Sequence, residues 1–473
     1  MNRNATTIVS EATPRGRAGI SIVRLSGPDS FSIAEKVLNN TLITKGKQRF
    51  LSQIVDANGK VFDEAIVLVF KAPNSFTGED CVEFNCHGNP LIVQKLIETL
   101  VFYGASLPLP GEFSQRAFLN GKLDLSQAES IMDLIHSKSE KLLYASANQL
   151  QGGLKNKISK IKESLFHALG LIQGPLDFPI ETEFSEIDLR EINSLLLKAN
   201  SEIERLQKNA FTSNILRQGL KTVILGRPNV GKSSLLNFLL NAERAIVSTE
   251  PGTTRDFISE EILIRDIPIT LIDTAGIREE SQETKNKIEQ IGIEKSLKLS
   301  EEAELIIFVF NLAEGFTEED KNLYRQIESS NKNAKIIPNI IILGNKNDLI
   351  KEKKQIEEQK EIVLKITKNE FVEFSTQDGS GLQKGLQELE DKIENFAKTE
   401  KDFEIELSLN QRQSICLKVC KKPLEEALNL KDPELISVKI EEILAHLNSL
   451  SGEGLYQTDS MLGEVFGNFC IGK

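Results

Sequence analysis

The residues best equipped for chemistry are Gly226-Arg-Pro-Asn-Val-Gly-Lys-Ser-Ser234, set between the apolar run 221–225 and the helix-like stretch 235–240. The spacing G-x-x-x-x-G-K-S is that of a loop that wraps phosphates. Its glycines let main-chain N–H groups turn inward, and the helix that follows adds its positive N-terminal dipole. Lys232 is expected to reach the β- and γ-phosphates of a nucleotide. The Ser233 hydroxyl is expected to hold Mg²⁺, a hard cation that prefers oxygen ligands and bridges the nucleotide's own phosphates. Three further stretches belong with this loop. Ile267-Pro-Ile-Thr-Leu-Ile-Asp-Thr-Ala-Gly276 reads as an apolar strand ending at Asp273, whose carboxylate can orient Mg²⁺ through water, while Gly276 can meet the γ-phosphate. Asn339-Ile-Ile-Ile-Leu-Gly-Asn-Lys-Asn-Asp348 reads as a second buried strand that delivers Asn345, Lys346 and Asp348 at its tip. A carboxylate that accepts two N–H bonds from guanine finds no such pair on adenine, so Asp348 selects guanine. In Pro251-Gly-Thr-Thr-Arg-Asp256, Thr254 can complete the Mg²⁺ shell only while a γ-phosphate is present. All four stretches stand in the chain order of a GTPase domain.

One feature constrains the hydrolytic step. Regulatory small GTPases place a water-orienting glutamine just after the Asp-x-x-Gly turn, whereas this chain has Ile277, which orients no water. Another device is required: an acidic residue in the segment 278–292, or an extra cation standing in for an arginine finger. Asn229, in the phosphate loop, carries a side-chain oxygen suited to a monovalent cation.

These groups need a scaffold. The 473 residues with 40% hydrophobic content suffice for roughly three domains with buried cores. Residues 1–120 read as a small α/β unit, with strands at 20–25 and 65–70, a helix at 91–103, and turns at Ser26-Gly-Pro28 and Asn58-Gly59. Arg24, Glu79, Asp80 and Glu83 read there as solvated strand ends, and Cys86-His87 makes no metal site without other ligands. From about 122 to 215 apolar residues recur at three and four, as in 126–135 and 154–172, the pattern of packed helices. Asp177-Phe-Pro-Ile-Glu-Thr-Glu183 reads as a loop. Beyond the GTPase stretch, 386–396 closes that domain and 407–450 returns to helical spacing, so one helical domain is split by an α/β insert. The mixed-charge run 351–361 reads as a solvated helix face.

Composition narrows the partners and the compartment. A net charge of −12 offers no global basic field for nucleic acid, so any RNA contact is local or shared with a partner. The five cysteines form no C-x-x-C pair, which points to a reducing compartment and not to a disulfide scaffold or zinc site. With no signal-peptide pattern and no run of 18 apolar residues, the expectation is a soluble, cytoplasmic protein without a membrane role. Cys470 stands four from the end, but Gly472 and Lys473 do not fit a prenylation signal.

Over its whole length the chain resembles the MnmE (TrmE) family of tRNA modification GTPases. The GTPase motifs specify only a superfamily. The family is carried by Ala12-Thr-Pro-Arg-Gly-Arg17, Pro110-Gly-Glu-Phe-Ser114, Arg116-Ala-Phe-Leu-Asn-Gly-Lys-Leu-Asp124 and the terminal Cys470-Ile-Gly-Lys473. The resemblance implies an α/β multidomain protein: a folate-binding and dimerising domain at 1–120, a helical domain at 121–216 and 399–473, and, inserted in it, a P-loop GTPase domain at 217–398 with a parallel-type sheet and helices on both faces. It implies a homodimer that acts with MnmG, an FAD protein using NADH, as a heterotetramer. Together they place an aminomethyl or carboxymethylaminomethyl group on carbon 5 of the wobble uridine of certain tRNAs. A tetrahydrofolate derivative, 5-formyl- or methylene-tetrahydrofolate, is implied in the first domain, with Arg24, Glu83, Lys122 and Lys473 carried over to it. Charge agrees, since folate has an anionic glutamate tail for Arg or Lys and a pterin whose N–H groups a carboxylate can accept.

The family's K⁺-dependent dimerisation of GTPase domains fits the missing glutamine. Asn229 is then the side-chain K⁺ ligand, with Ser248, Glu250 and Thr253 supplying further oxygens, and Glu289 the acid that orients water through a second water. Cys470 is carried over as a participant in the modification chemistry. The GTP contacts implied run over Asn229, Val230, Gly231, Lys232, Ser233 and Ser234, then Ser248, Thr249, Glu250, Pro251, Gly252, Thr253 and Thr254. They continue with Asp273, Thr274, Ala275 and Gly276, then Asn345, Lys346 and Asp348, and end at Ser375, Thr376 and Gln377. Ser375-Thr-Gln377 stands where guanine-binding loops usually read Ser-Ala-Lys, and Thr249-Glu250 replaces the usual acid and aliphatic pair of the K⁺ loop. Two rival classes fit less well: a ribosome-assembly GTPase switch wants a basic RNA-binding appendage, and a dynamin-type GTPase wants a membrane surface, neither of which this acidic chain displays.

Overall fold

The computed structural model describes residues 6–38, 43, 46–177, 188–241, 259–272, 298–331, 337–350, 352–377, 379–397, 406–453, 463, 465–467, 469 and 472. The described residues form two compact units, one drawn from 1–135, 147–203 and 415–473, the other from 136–146 and 204–414. Among them no helix is long and apolar enough to cross a membrane.

The first unit opens with an antiparallel sheet of β1 (Ile8–Glu11), β2 (Ala18–Ser26), β3 (Arg49–Val55), β4 (Val61–Phe70) and β5 (Cys81–Gly88), in the order β1-β2-β5-β4-β3. Helices α1 (Ser30–Leu38) and α2 (Pro90–Phe102) lie against the face on which Val23, Leu25, Val67 and Phe84 form a common core with Ala34, Val37, Leu96 and Leu100. Helix α2 starts where the sequence says it must: the Asn89 side chain accepts the Leu91 N–H, and Pro90, which lacks an N–H to satisfy, takes the first turn. The alternate residues of the strands occupy the other face, where Ile20, Leu51 and Ile66 are exposed and Arg24 pairs with Glu83. Arg24 and Glu83 are therefore not strand ends. They are register partners inside β2 and β5.

After α3 (Glu112–Leu119) and α4 (Leu125–Ile135), the long α6 (Gly153–Asp177) packs beside the helix Pro433–Ser451, and Lys162 reaches Glu453 at 2.9 Å. The chain's last described residues return to the first ones. Phe466 and Phe469 join Phe118, Leu125 and Ala128 in one cluster. Gly111, at φ 67, lies so close beneath them that a Cβ there would stand 2.5 Å from the Phe466 carbonyl oxygen, and the backbone at Gly472 meets the carbonyl of Glu11. The helical reading of 407–450 needs correction: 406–410 is not helical, and the two helices Gln411–Asn429 and Pro433–Ser451 are separated by Leu430, Lys431 and Asp432, the last of which caps the second helix. Of the expected loop 177–183, residues 178–183 lie outside the described residues, and Asp177 ends α6.

The second unit is built on six strands, β6 (Leu220–Leu225), β7 (Ser259–Ile264), β8 (Ile267–Ile272), β9 (Leu305–Asn311), β10 (Asn339–Asn345) and β11 (Phe371–Glu373), in the order β11-β10-β9-β6-β8-β7. All neighbours are parallel except β7 and β8. Every residue of β9 is buried, as a strand covered on both faces requires. Ile307 and Val309 point into one core with Ile341 and Leu343, whereas Ile306 and Phe308 point into the other with Ile342 and Tyr324. Strand β6 lies between β8 and β9, so the sheet's order reverses at its carboxyl end, the place where such sheets bind ligands. Helices α5 (Glu140–Leu150) and α7 (Leu189–Gln218) precede this sheet in the chain; α8 (Lys232–Asn241), α9 (Glu318–Ser330), α10 (Lys353–Thr367) and α11 (Gly379–Ala397) fall between or after its strands. Of the solvated helix face expected at 351–361, residues 353–361 form the largely exposed start of α10, and 351 lies outside the described residues.

The β7–β8 hairpin turns on Arg265 and Asp266, both at positive φ, the conformation of a two-residue hairpin loop. Its residues grip their neighbours. Arg265 reaches Glu390, Asp391 and Glu394 on α11, and Asp266 accepts the N–H groups of Glu140 and Lys141 at 2.7 and 2.8 Å, capping α5.

Candidate functional site

Two places in the fold gather the residues singled out above. The first lies at the carboxyl end of β6. The loop 226–231 leaves the strand there and enters α8, which is anchored by buried Leu235 and Leu239 so that its N-terminus faces the loop. A Cβ on Gly226 would stand 2.1 Å from the Val309 carbonyl oxygen, and one on Gly231 2.1 Å from Asn345 Nδ2. Gly226 is therefore crowded by a backbone carbonyl and Gly231 by the buried side chain of Asn345, so neither position has room for a side chain. Asn229 sits between them at φ 63, a left-handed conformation that asparagine tolerates better than most residues.

Four carbonyls of this loop accept lysine or asparagine side chains. Lys232 Nζ donates to those of Gly226 and Arg227 at 2.8 and 2.7 Å; burial holds its ammonium below the ordinary lysine range, a shift that an anionic phosphate nearby opposes. Asn345 Nδ2 donates to Val230 O at 2.8 Å and Lys346 Nζ to Asn229 O at 3.0 Å. Strand β10 thus delivers its tip directly onto the phosphate loop. Asn345 is almost wholly buried and its Oδ1 has no partner among the described residues, a polar atom awaiting a donor. Asp348, exposed on the following turn, accepts the Ser375 hydroxyl at 2.5 Å through one oxygen, and the Gln377 N–H in turn donates to that hydroxyl at 3.2 Å. Asn345, Lys346, Asp348 and Ser375, the residues expected to read guanine, with Thr376 and Gln377 beside them, are therefore brought to one side of the loop carrying Asn229, Val230, Gly231, Lys232, Ser233 and Ser234. Ser233 is exposed in the first turn of α8, and its hydroxyl is a hard oxygen donor of the kind Mg²⁺ takes. Ser248, Thr249, Glu250, Pro251, Gly252, Thr253, Thr254, Asp273, Thr274, Ala275, Gly276 and Glu289 lie outside the described residues.

The second place lies on the sheet face away from α1 and α2. Arg24 Nε meets Glu83 Oε1 at 2.8 Å, both less than a fifth exposed, and the guanidinium lies over the rings of Phe76 and Phe113. Lys122 Nζ donates to Pro73 O at 3.0 Å, and its stem packs on Gly78, so it borders the same 73–83 segment. Lys473 and Cys470 lie outside the described residues. A cation, a carboxylate and aromatic walls are the donor set a folate requires, though here the two charges close on each other. Glu79, read from sequence as a solvated edge, is instead mostly buried: Arg116, 2% exposed, reaches Glu79 at 3.2 Å and Glu112 at 2.8 Å, and Ser26 donates to Glu79 at 2.8 Å. Asp80 accepts the Ala72 N–H at 2.8 Å. His87 is held by Asp63 at 2.6 Å, with no metal-ligating cluster among the described residues.

Sequence reasoning passed over Arg227, Glu314 and Asp320. Thr317-Glu-Glu-Asp320 has the spacing of a capping box, which marks a helix start and a carboxylate held in place there.

A doubly covered, mostly parallel sheet, with a phosphate loop at its switch point and Asn-Lys-Asn-Asp on the strand two places away, defines a P-loop GTPase, a hydrolase acting on GTP. The description "GTP-binding protein TrmE N-terminus" matches residues 7–122, and "MnmE helical domain" matches residues 125–470. The chain is 38% identical over 475 residues to "tRNA modification GTPase MnmE" of Thermotoga petrophila, covering 99% of this chain and 100% of that one. The relative of the same name from Aquifex aeolicus is 38% identical over 471 residues, covering 98% and 99%. A crystal structure of Aquifex aeolicus Era bound to GDP.AlF4- aligns at 27% identity over 45% of this chain and 69% of that one, with a TM-score of 0.29. The chain belongs to the MnmE family of tRNA modification GTPases.

Proposed function

We propose that the protein is a GTP-hydrolysing tRNA modification enzyme that acts with MnmG to install a 5-carboxymethylaminomethyl or aminomethyl group on the wobble uridine of certain tRNAs. The observation that carries the GTPase part is the meeting of β6 and β10: Asn345 and Lys346 hold the carbonyls of Val230 and Asn229, while Asp348 stands beside Ser375 with a carboxylate oxygen to spare. That arrangement joins phosphate binding to guanine selection in one rigid unit.

In this reading Ser233 and Thr254 would hold Mg²⁺, which would offset charge on the phosphates. Lys232 turns from the loop carbonyls to the nucleotide, and its ammonium recovers its ordinary basicity there. Ile277 provides no group to orient water, so Glu289 takes that part. Asn229 supports a K⁺ site: Lys346 occupies its main-chain carbonyl, and its exposed side chain stays available as a ligand, with Ser248, Glu250 and Thr253 completing the shell. K⁺ would supply positive charge where an arginine finger otherwise does. Dimerisation of the GTPase domains, spanning 217–398, accompanies it. In the domain spanning 1–120, Arg24, Glu83, Lys122 and Lys473 would hold a tetrahydrofolate derivative, Glu83 accepting N–H groups of its pterin and the lysines meeting its anionic tail. The helical domain is 121–216 with 399–473. Folate binding, the homodimer, the complex with MnmG and its FAD and NADH, a part for Cys470, and a cytoplasmic location all belong to this reading.

The test is GTP turnover by the full chain in KCl and in NaCl, with Asn229→Ala and Glu289→Ala alongside. Strong stimulation by K⁺, lost in the asparagine variant, with hydrolysis abolished in the glutamate variant, is the expected result. Equal rates in the two salts would sink the cation-assisted mechanism and leave guanine binding standing. Wobble-modified uridine in tRNA from a deletion strain, measured with and without the restored gene, tests the larger reading.

A further inference from the structure

The phosphate loop carries its own arginine, and that arginine is committed to three carboxylates. Arg227 Nε meets Asp320 Oδ1 at 2.7 Å, Nη1 meets Glu319 at 3.2 Å and Nη2 meets Glu314 Oε2 at 3.1 Å. Asp320 is fully buried and works with both oxygens. While Oδ1 takes the arginine, Oδ2 accepts the N–H of Thr317 at 3.0 Å and its hydroxyl at 2.8 Å, closing the capping box at the start of α9. Glu314 is similarly divided, its Oε1 accepting Asn311 Nδ2 at 2.6 Å. Asn311 ends β9 directly opposite Asn345 on β10, and the adjacent Leu312 N–H donates to Asn345 O at 2.8 Å. Asn345 Nδ2 then returns to the loop at Val230 O. The hydrogen bonds form a closed circuit: Arg227, Glu314, the end of β9, Asn345, Val230, and along the loop back to Arg227.

From this circuit we infer that Arg227 is a positioning residue for the phosphate loop and not an arginine finger. With Asp320 and Glu314 it holds the loop's first half as Asn345 and Lys346 hold its second, so that nucleotide binding does not have to order the loop. Two physical effects combine. A guanidinium forked onto three carboxylates fixes the direction of the Gly226 and Arg227 carbonyls, which in turn receive Lys232. It also offsets three negative charges that would otherwise stand beside the loop and oppose an incoming triphosphate. A residue that acts in this way changes affinity for GDP and GTP alike and leaves the turnover of bound GTP unchanged, unlike a finger, which acts on turnover.

The assignment rests on the loop binding guanine nucleotides, and the experiment separates the two. Full-length wild type, Arg227→Ala, Arg227→Lys and Glu314→Gln/Glu319→Gln are titrated with GDP and with a non-hydrolysable GTP analogue, and kcat and KM for GTP are measured in KCl. Wild type that binds neither nucleotide would remove the GTPase reading itself. If wild type binds, the expectation for Arg227→Ala is an increase of about tenfold or more in both dissociation constants, with kcat within about twofold. Arg227→Lys, which keeps the charge but loses the fork, falls between it and wild type. The double glutamine variant, which leaves the Asp320 pair in place, shifts affinity by about threefold or less. Affinities within about twofold of wild type in Arg227→Ala overturn the assignment, as does a fall confined to kcat. Because removing Arg227 leaves Asp320 buried without a counter-charge, Arg227→Lys decides the matter by the same twofold limit if the alanine variant does not fold.

Discussion

Asn345 does two jobs with one side chain, bonding the loop at Val230 and standing so close to Gly231 that any larger residue there would strike it. Gly231→Ala is accordingly expected to lose GDP binding by about tenfold or more in a chain that remains folded, read by the same titration. The motif G-x-x-x-x-G-K-S is usually explained by the phosphate; here the neighbouring strand enforces its second glycine as firmly. The buried thiols make a separate prediction. Burial pushes Cys81 and Cys420 from the ordinary 9.0 up to about 12, and Cys86 to about 11. Their unfolded counterparts ionise first, so the unfolded chain loses protons that the folded chain keeps. Stability contributed by these groups is intact below about pH 9 and is lost as pH rises towards the folded values, by about 1.4 kcal/mol per pH unit for each thiol. Urea midpoints between pH 8 and 10 should fall accordingly, and iodoacetamide at pH 9 should label Cys81 and Cys420 only after unfolding. The loop 226–234 and the strand tip 345–348 were legible in sequence because each motif is local. Arg24 with Glu83, and Arg116 with Glu79, were not, because strand pairing and a helix from a distant stretch bring them together.

At the scale of elements, the β7–β8 hairpin matters most beyond its own pairing. Asp266→Ala removes the cap from α5 and should cost about 1 kcal/mol, seen as a lower urea midpoint, with wild-type GDP affinity retained. Strands β6, β8 and β10 were legible as apolar runs, since a strand buried on both faces needs no alternation. The stretch 407–450 shows one helical pattern in sequence because its apolar spacing continues through Leu430; Pro433, which suits a first turn, and Asp432, which caps it, are the signals that divide it. The clamp on Arg227 was missed for a related reason: a capping box declares a helix start but not what its spare carboxylate oxygen will meet.

For the whole molecule, sequence spacing indicated an α/β unit, helices and a nucleotide-binding insert, and these elements are present. What no local pattern conveyed is that the carboxyl end finishes the structure begun at the amino end. Phe466 and Phe469 are nearly buried against Phe118 and Leu125. Phe466→Ala should cost about 3 kcal/mol, and a chain ending at residue 462 should bind more of an apolar fluorescent dye than the full chain. That closure also sets an order of events during synthesis. Phe118 leaves the ribosome about 350 residues before Phe466, an interval of about 20–70 s at ordinary elongation rates. For that time the nascent protein carries an open apolar seat on its first-made part while the entire GTPase insert is produced, and only the arrival of Phe466 and Phe469 fills it.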